Sequence, residues 1–170
     1  MKNEEIQKML FVSTSEKYGD RYIEHLLEQY KIYVNSAEKI SDRRQKTNEF
    51  FLTLDAAFVT ILGFFSKSQT EISNSILFIA CLAGITICYL WYRIILSYKG
   101  LNTGKFKVIH YIEKRLPLAL YDTEWEILGR GEKKETYWPF THIELCVPWI
   151  FIGIYSIIIL LNLPWDTISK

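Results

Sequence analysis

Ile76 to Leu96 reads ILFIACLAGITICYLWYRIIL, with Arg93 as its only charged residue. A membrane-crossing helix needs about 20 mostly apolar residues, and this stretch meets that length. Leu145 to Leu163, LCVPWIFIGIYSIIILLNL, meets it too. Phe50 to Phe65, FFLTLDAAFVTILGFF, is shorter and carries Thr53, Asp55 and Thr60. Read as a third span, it divides the chain into 1–48, a cytoplasmic helical segment; 49–66, the first span; 67–74, an outer turn; 75–97, the second span; 98–141, a second cytoplasmic helical segment; 142–163, the third span; and 164–170, an outer tail. The expected class is an all-α integral membrane protein.

The net charge of +1 conceals a clustering of the 20 Lys and Arg residues. They concentrate before the first span and between the second and third, whereas the other two connections hold Lys67 and Lys170 only. The positive-inside rule then places the N-terminus in the cytoplasm and the C-terminus outside. The polar start, Met1-Lys2-Asn3-Glu4-Glu5, does not lead into a cleavable signal. Cys81, Cys88 and Cys146 lie in or beside spans, lack ligand spacing, and read as small apolar residues.

Ser13 and Glu16 fit a capping box, predicting a helix from near Thr14. From Asp20 to Leu62 there is neither Gly nor Pro, so one helix should run from the cytoplasm into the bilayer, on the order of 70 Å long. Its cytoplasmic half carries an apolar seam, Ile23, Leu26, Tyr30, Tyr33, Ala37 and Ile40, at alternating spacings of three and four. Leu27 and Val34 widen it. The seam packs either on the second cytoplasmic segment or on other copies of the chain.

Continued upward, that face reaches Asn48, Phe51, Asp55, Phe58 and Leu62. Polar groups alternating with bulky ones suit a wet lumen with hydrophobic constrictions. Asp55 is the sharpest signal, because a carboxylate inside a span is costly and faces water or a bundle interior. Lining a pore and bonding to a neighbouring helix are the two competing roles. In the second span, Gly84 among Cys81, Ala83 and Cys88 permits close helix approach. That helix is expected to continue through Tyr98 to Arg115 and end at Pro117, with kinks allowed at Gly100 and Gly104. A short helix follows at Thr123 to Leu128, capped by Asp122 and closed by Gly129. Gly129-Arg130-Gly131 with Lys133-Lys134 reads as a basic loop. Thr141 and Glu144 fit a second capping box at the start of the third span, which Trp149 and Trp165 anchor at its two interfaces.

Lys39, Arg43, Arg44, Lys46, Lys99, Lys105 and Lys107 gather near the cytoplasmic interface. They serve either anionic headgroups or a phosphate-bearing ligand. Tyr98, Tyr111, Tyr121, Trp125, Tyr137 and Trp138 could stack bases beside them. His25, His110 and His142 are scattered, so no metal site is expected. Glu113, Glu124 and Glu126 read as solvated helix faces. No catalytic or cofactor-binding motif is recognised, and an enzyme is not expected.

Several ordered blocks resemble the RipA-type small bacterial membrane proteins, a family described as octameric. They are Arg43-Arg44-Gln45-Lys46-Thr47-Asn48-Glu49-Phe50-Phe51-Leu52-Thr53-Leu54, Trp91-Tyr92-Arg93-Ile94-Ile95, Ser97-Tyr98-Lys99-Gly100-Leu101-Asn102 and Lys105-Phe106-Lys107-Val108-Ile109-His110. Glu113-Lys114-Arg115-Leu116-Pro117, Glu124-Trp125, Leu128-Gly129-Arg130-Gly131 and Thr141-His142-Ile143-Glu144 complete the set. The chain departs from the family at Asp55, where a neutral polar residue is commoner. The resemblance implies a homo-oligomer, an octameric ring. The layout is also similar to that of Hailong-type anti-phage effectors, channels controlled by an oligonucleotide. Together these imply an ion channel of the bacterial inner membrane whose cytoplasmic side takes a nucleotide or oligonucleotide, with a nucleotidyltransferase encoded alongside. The competing expectations are a non-conducting scaffold for envelope or lipid homeostasis, and a ligand receptor without a pore.

Overall fold

A computed structural model describes residues 3–67, 74–131 and 140–162. Six α-helices appear in them: α1 (Asn3–Leu10), α2 (Ser15–Tyr18), α3 (Tyr22–Lys67), α4 (Asn74–Glu113), α5 (Leu120–Ile127) and α6 (Phe140–Leu161). No β-strand occurs among the described residues. Helices α3, α4 and α6 are each long and apolar enough to cross a membrane. The expected outer turn, outer tail and Lys133-Lys134 loop, together with Tyr137, Trp138 and Trp165, fall largely or wholly outside the described residues.

The 46 residues of α3 give a helix about 70 Å long, as the absence of Gly and Pro predicts. Likewise α4 passes through Gly100 and Gly104 without a break and ends at Glu113. The capping-box expectation at Ser13 is not met. Thr14 stands at the N-cap of α2 without a side-chain bond, and the Ser13 hydroxyl instead donates to the Thr14 carbonyl. Helix α1 precedes it, within the segment 1–48 expected to be helical but ahead of the start expected near Thr14.

The chain forms two compact units. One comprises Met1–Asp42 and Gly100–Trp138, the other Arg43–Lys99 and Pro139–Lys170. In the first, the α3 seam turns inward: Ala37 and Ile40 are buried, as are Ile109 and Ile112 of α4. The seam therefore serves this chain's own second segment, with Ile23 at its start left exposed.

Glu113 corrects the expectation of a solvated face. It is buried, and its carboxylate gathers three donors. Oε1 accepts from the Tyr30 hydroxyl at 2.8 Å and the Tyr121 amide at 3.0 Å, and Oε2 accepts from the Asp122 amide at 3.0 Å. The first amides of a helix lack intrahelical partners. Glu113, from the end of α4, satisfies two of those in α5. This explains why α5 starts at Leu120 with Ala119 as N-cap, earlier than Asp122 alone would predict. Burial first, and then the bond to Glu113, pushes the Tyr30 phenol well above its usual range. Beyond α5, Gly129 (φ 66°), Arg130 (φ 54°) and Gly131 (φ 76°) turn the chain through the left-handed region, which glycine enters without steric cost.

Candidate functional site: polar ties among the three spans

The second unit buries two polar layers among α3, α4 and α6. The deeper one centres on Asp55, which is fully buried. Its Oδ1 accepts from the Tyr155 hydroxyl at 2.9 Å and from the Cys88 thiol at 3.4 Å. One side chain from each span thus meets at a single oxygen. The other carboxylate oxygen is buried with no hydrogen-bond partner among the described residues.

Gly84 makes this meeting sterically feasible. A Cβ built there would lie 2.6 Å from Tyr155 Cζ, closer than carbon atoms pack. The tyrosine ring occupies the space that a larger residue on α4 would fill, an instance of small residues permitting close helix approach in lipid. Leu62, Leu77, Cys81, Cys88 and Tyr155 form the surrounding core, with Phe58 packed against it.

The second layer lies at the end of the spans formed by the start of α6. Arg44 is ion-paired with Glu144 and also donates to the Thr141 hydroxyl at 2.7 Å. Glu144 Oε1 accepts from Asn48 Nδ2 at 3.0 Å, and Asn48 Oδ1 accepts from the Trp91 indole at 3.0 Å. Phe51 stacks on Trp91 at 5.7 Å. The network again joins all three spans. Thr141 and Glu144, expected as a capping box, are both committed to Arg44 instead.

The five residues expected along a lumen are engaged within the protomer. Asn48, Phe51, Asp55, Phe58 and Leu62 occupy the side of α3 that packs against α4 and α6 of the same chain. Within the protomer, the face singled out in the sequence and its carboxylate contribute to cohesion among the three spans. The signal for Tyr155 as the partner was weak, because a tyrosine within a span also reads as an interface anchor.

The opposite side of α3 differs in character. Thr53, Ala56, Ala57, Thr60 and Gly63 are exposed along one sector, and none is larger than threonine. Thr60 satisfies its hydroxyl on the Ala56 carbonyl at 2.8 Å. The other exposed positions of α3 include Phe50, Leu52, Leu54, Ile61, Phe64 and Phe65, those of α4 include Ile76, Phe78, Ile79, Leu82 and Leu90, and those of α6 include Trp149, Ile150, Ile157 and Leu160. Bulky apolar faces of this kind suit contact with lipid.

The basic residues expected to bind a ligand are divided between the two units. In the first unit Lys39 and Lys107 are exposed. Lys105 is half-buried there, donating to the Ser36 hydroxyl at 2.7 Å and lying 4.4 Å from the centre of the Tyr33 ring. In the second unit Arg43, Lys46 and Lys99 are exposed, and Arg44 is held by Glu144. Arg44 thus acts as a structural cation, because its guanidinium fork matches a carboxylate.

Residues 27–164 match the octameric membrane protein family. The chain belongs to that family. Membership makes it a homo-oligomeric membrane protein and agrees with the resemblance carried by the sequence blocks from Arg43 to Glu144. No curated protein and no solved structure matches the chain.

Proposed function

We propose that this member of the octameric membrane protein family is an ion channel of the bacterial inner membrane, with the basic segments on the cytoplasmic side. Its lumen is lined by the small-residue sector of α3. One observation carries the reading: the exposed small residues Thr53, Ala56, Ala57, Thr60 and Gly63 fall on one sector of α3, with exposed Phe64 at its end and Phe50, Leu52, Leu54 and Ile61 on its flanks. Threonine hydroxyls interspersed with alanine methyls make a surface that water can wet, and Phe64, just beyond them and exposed, supplies an apolar constriction of the kind that gates by dewetting. Asp55 then does not select ions; it holds the protomer together.

The trigger belongs to the same proposal. Arg43, Lys46 and Lys99 are exposed basic groups of the membrane unit. They offer charge to a nucleotide or oligonucleotide, the signal expected of an anti-phage effector with a co-encoded nucleotidyltransferase. Such a ligand shifts the open–closed balance only through unequal affinity for the two states. The chain is assigned no catalysis. Current through planar bilayers containing the purified octamer tests the reading. Thr60→Leu should reduce unitary conductance severalfold in a properly assembled octamer, and Asp55→Asn should leave it nearly unchanged. Absence of current from wild-type octamer across voltages, with and without added oligonucleotide, would reject it.

The non-conducting scaffold is favoured by a different observation. Two carboxylates in or beside the spans, Asp55 and Glu144, are both consumed by contacts within the protomer. On that reading the sector around Thr53 and Thr60 packs tightly on a neighbouring copy and leaves no lumen.

A further inference from the structure

A closed ring of eight identical chains needs two different, mutually complementary faces on every chain, because a single self-complementary patch yields only dimers. In the first unit, α3 borders a groove on one flank and a cleft on the other. At about 100° per residue, Leu27, Val34 and Glu38 share one flank, and Tyr22, His25 and Gln29 lie roughly 160° away on the other. Val34 and Glu38 line a groove with Tyr121 of α5. Tyr22, His25 and Gln29 line a cleft with Phe11 and Val12 of the N-terminal arm. Helix α5 and the arm therefore cover opposite flanks of α3.

Both coverings leave large apolar side chains in the open. On the arm, Met9 is 70% exposed and Val12 87%. On α5, Leu120 is 62% exposed and Ile127 74%, with Leu27 of α3 exposed on the same flank. None of these lies in an apolar stretch long enough to enter the bilayer. Large apolar side chains left open on both flanks are surface that a neighbouring chain would take out of water. Family membership supplies the occupant, a second copy of the chain.

We infer that the cytoplasmic unit carries a head-to-tail subunit interface in which the N-terminal arm of one chain, through Met9 and Val12, packs on the α5 face of the next, through Leu120 and Ile127. The inference rests on octameric assembly and stands whether or not the octamer conducts.

The test uses full-length protein in native membranes, with Cys146→Ser as background. The double variant Val12→Cys/Ile127→Cys, oxidised mildly, should give a ladder of disulfide-linked multimers reaching eight chains. Each single variant should remain monomeric on a denaturing gel. Dimers from a single variant would mean a self-complementary contact and would overturn the inference. So would absence of a ladder from a double variant that still migrates as an octamer under native conditions. A charge pair guards against misfolding: Val12→Lys alone and Ile127→Glu alone should each lower the octamer fraction several-fold, and the combination should restore it. Equal loss in the combination contradicts the arrangement.

Discussion

The Tyr155 hydroxyl reaches Asp55 Oδ1 at 2.9 Å because its ring lies against Gly84, where even a methyl group would stand 2.6 Å from Cζ. Donor, acceptor and the glycine that admits the donor come from three different spans. Tyr155→Phe keeps the ring and removes the donor, leaving the buried carboxylate with Cys88 as its remaining partner among the described residues. Leaving a buried polar group short of a partner costs about 1–3 kcal/mol. Heating the octamer in detergent, followed by size-exclusion chromatography, should show an earlier loss of assembled protein for Tyr155→Phe. Asp55→Asn, which retains an acceptor, should lose less.

Gly84→Ala should be more damaging than its single added carbon suggests, since a closely packed aromatic ring must move. Relaxation of an overpacked core typically costs about 1–3 kcal/mol. Combining it with Tyr155→Ala should recover part of that loss, because the obstacle is gone. Additive losses in the same heating assay would show that the two side chains do not compete for one space.

Arg44 and Glu144 form an ion pair bridging α3 and α6. Removing one member of a largely buried pair strands the other, at about 3 kcal/mol or more. Arg44→Met and Glu144→Gln should each reduce folded yield strongly, and the double variant should lose less than the two single losses combined. Arg43→Met, at an exposed neighbour, should fold normally. Any effect it has should appear in the proposed response to an oligonucleotide instead.

Glu113 and Tyr30 give the first unit a pH dependence at the alkaline end. The Tyr30 phenol is held above its unfolded value by burial and then by Glu113. A raised phenol pKa means that the folded state retains the proton more tightly. The stabilisation is whole below the ordinary phenol value, about 10, and is lost as pH rises beyond it. Limited proteolysis near Arg115 and Arg130 should accelerate above that pH. Tyr30→Phe should flatten its share of the dependence. Glu113→Ala should raise cleavage at neutral pH, since the amides of Tyr121 and Asp122 lose their acceptor.

Much of the fold was legible because hydrophobic run length and the absence of helix breakers are local properties. The single long α3, the continuous α4 and the three spans follow from them. The roles of Asp55 and Glu113 were not legible, because each depends on what a distant segment brings. A carboxylate on the apolar face of a span has the same pattern whether it meets water in a lumen or Tyr155 a hundred positions later. Glu113 offered a faint clue, since it falls four residues after Ile109 and seven after Phe106, on their apolar face. The capping boxes at Ser13 and Thr141 failed for a related reason. Spacing shows that a cap is available, but Arg44 offers Thr141 and Glu144 a stronger partner.

The proposed division of α3 into a cohesive face and a lumen face is tested most directly by cysteine accessibility during conduction. Thr53→Cys, Thr60→Cys, Phe58→Cys and Leu62→Cys would each be placed in the Cys146→Ser background. Bilayer current would be followed as a membrane-impermeant thiol reagent is added. Current through the Thr53 and Thr60 variants should be blocked, while the Phe58 and Leu62 variants keep conducting. Block at Phe58 and Leu62, with Thr53 and Thr60 indifferent, would put the Asp55 face on the lumen and contradict the account.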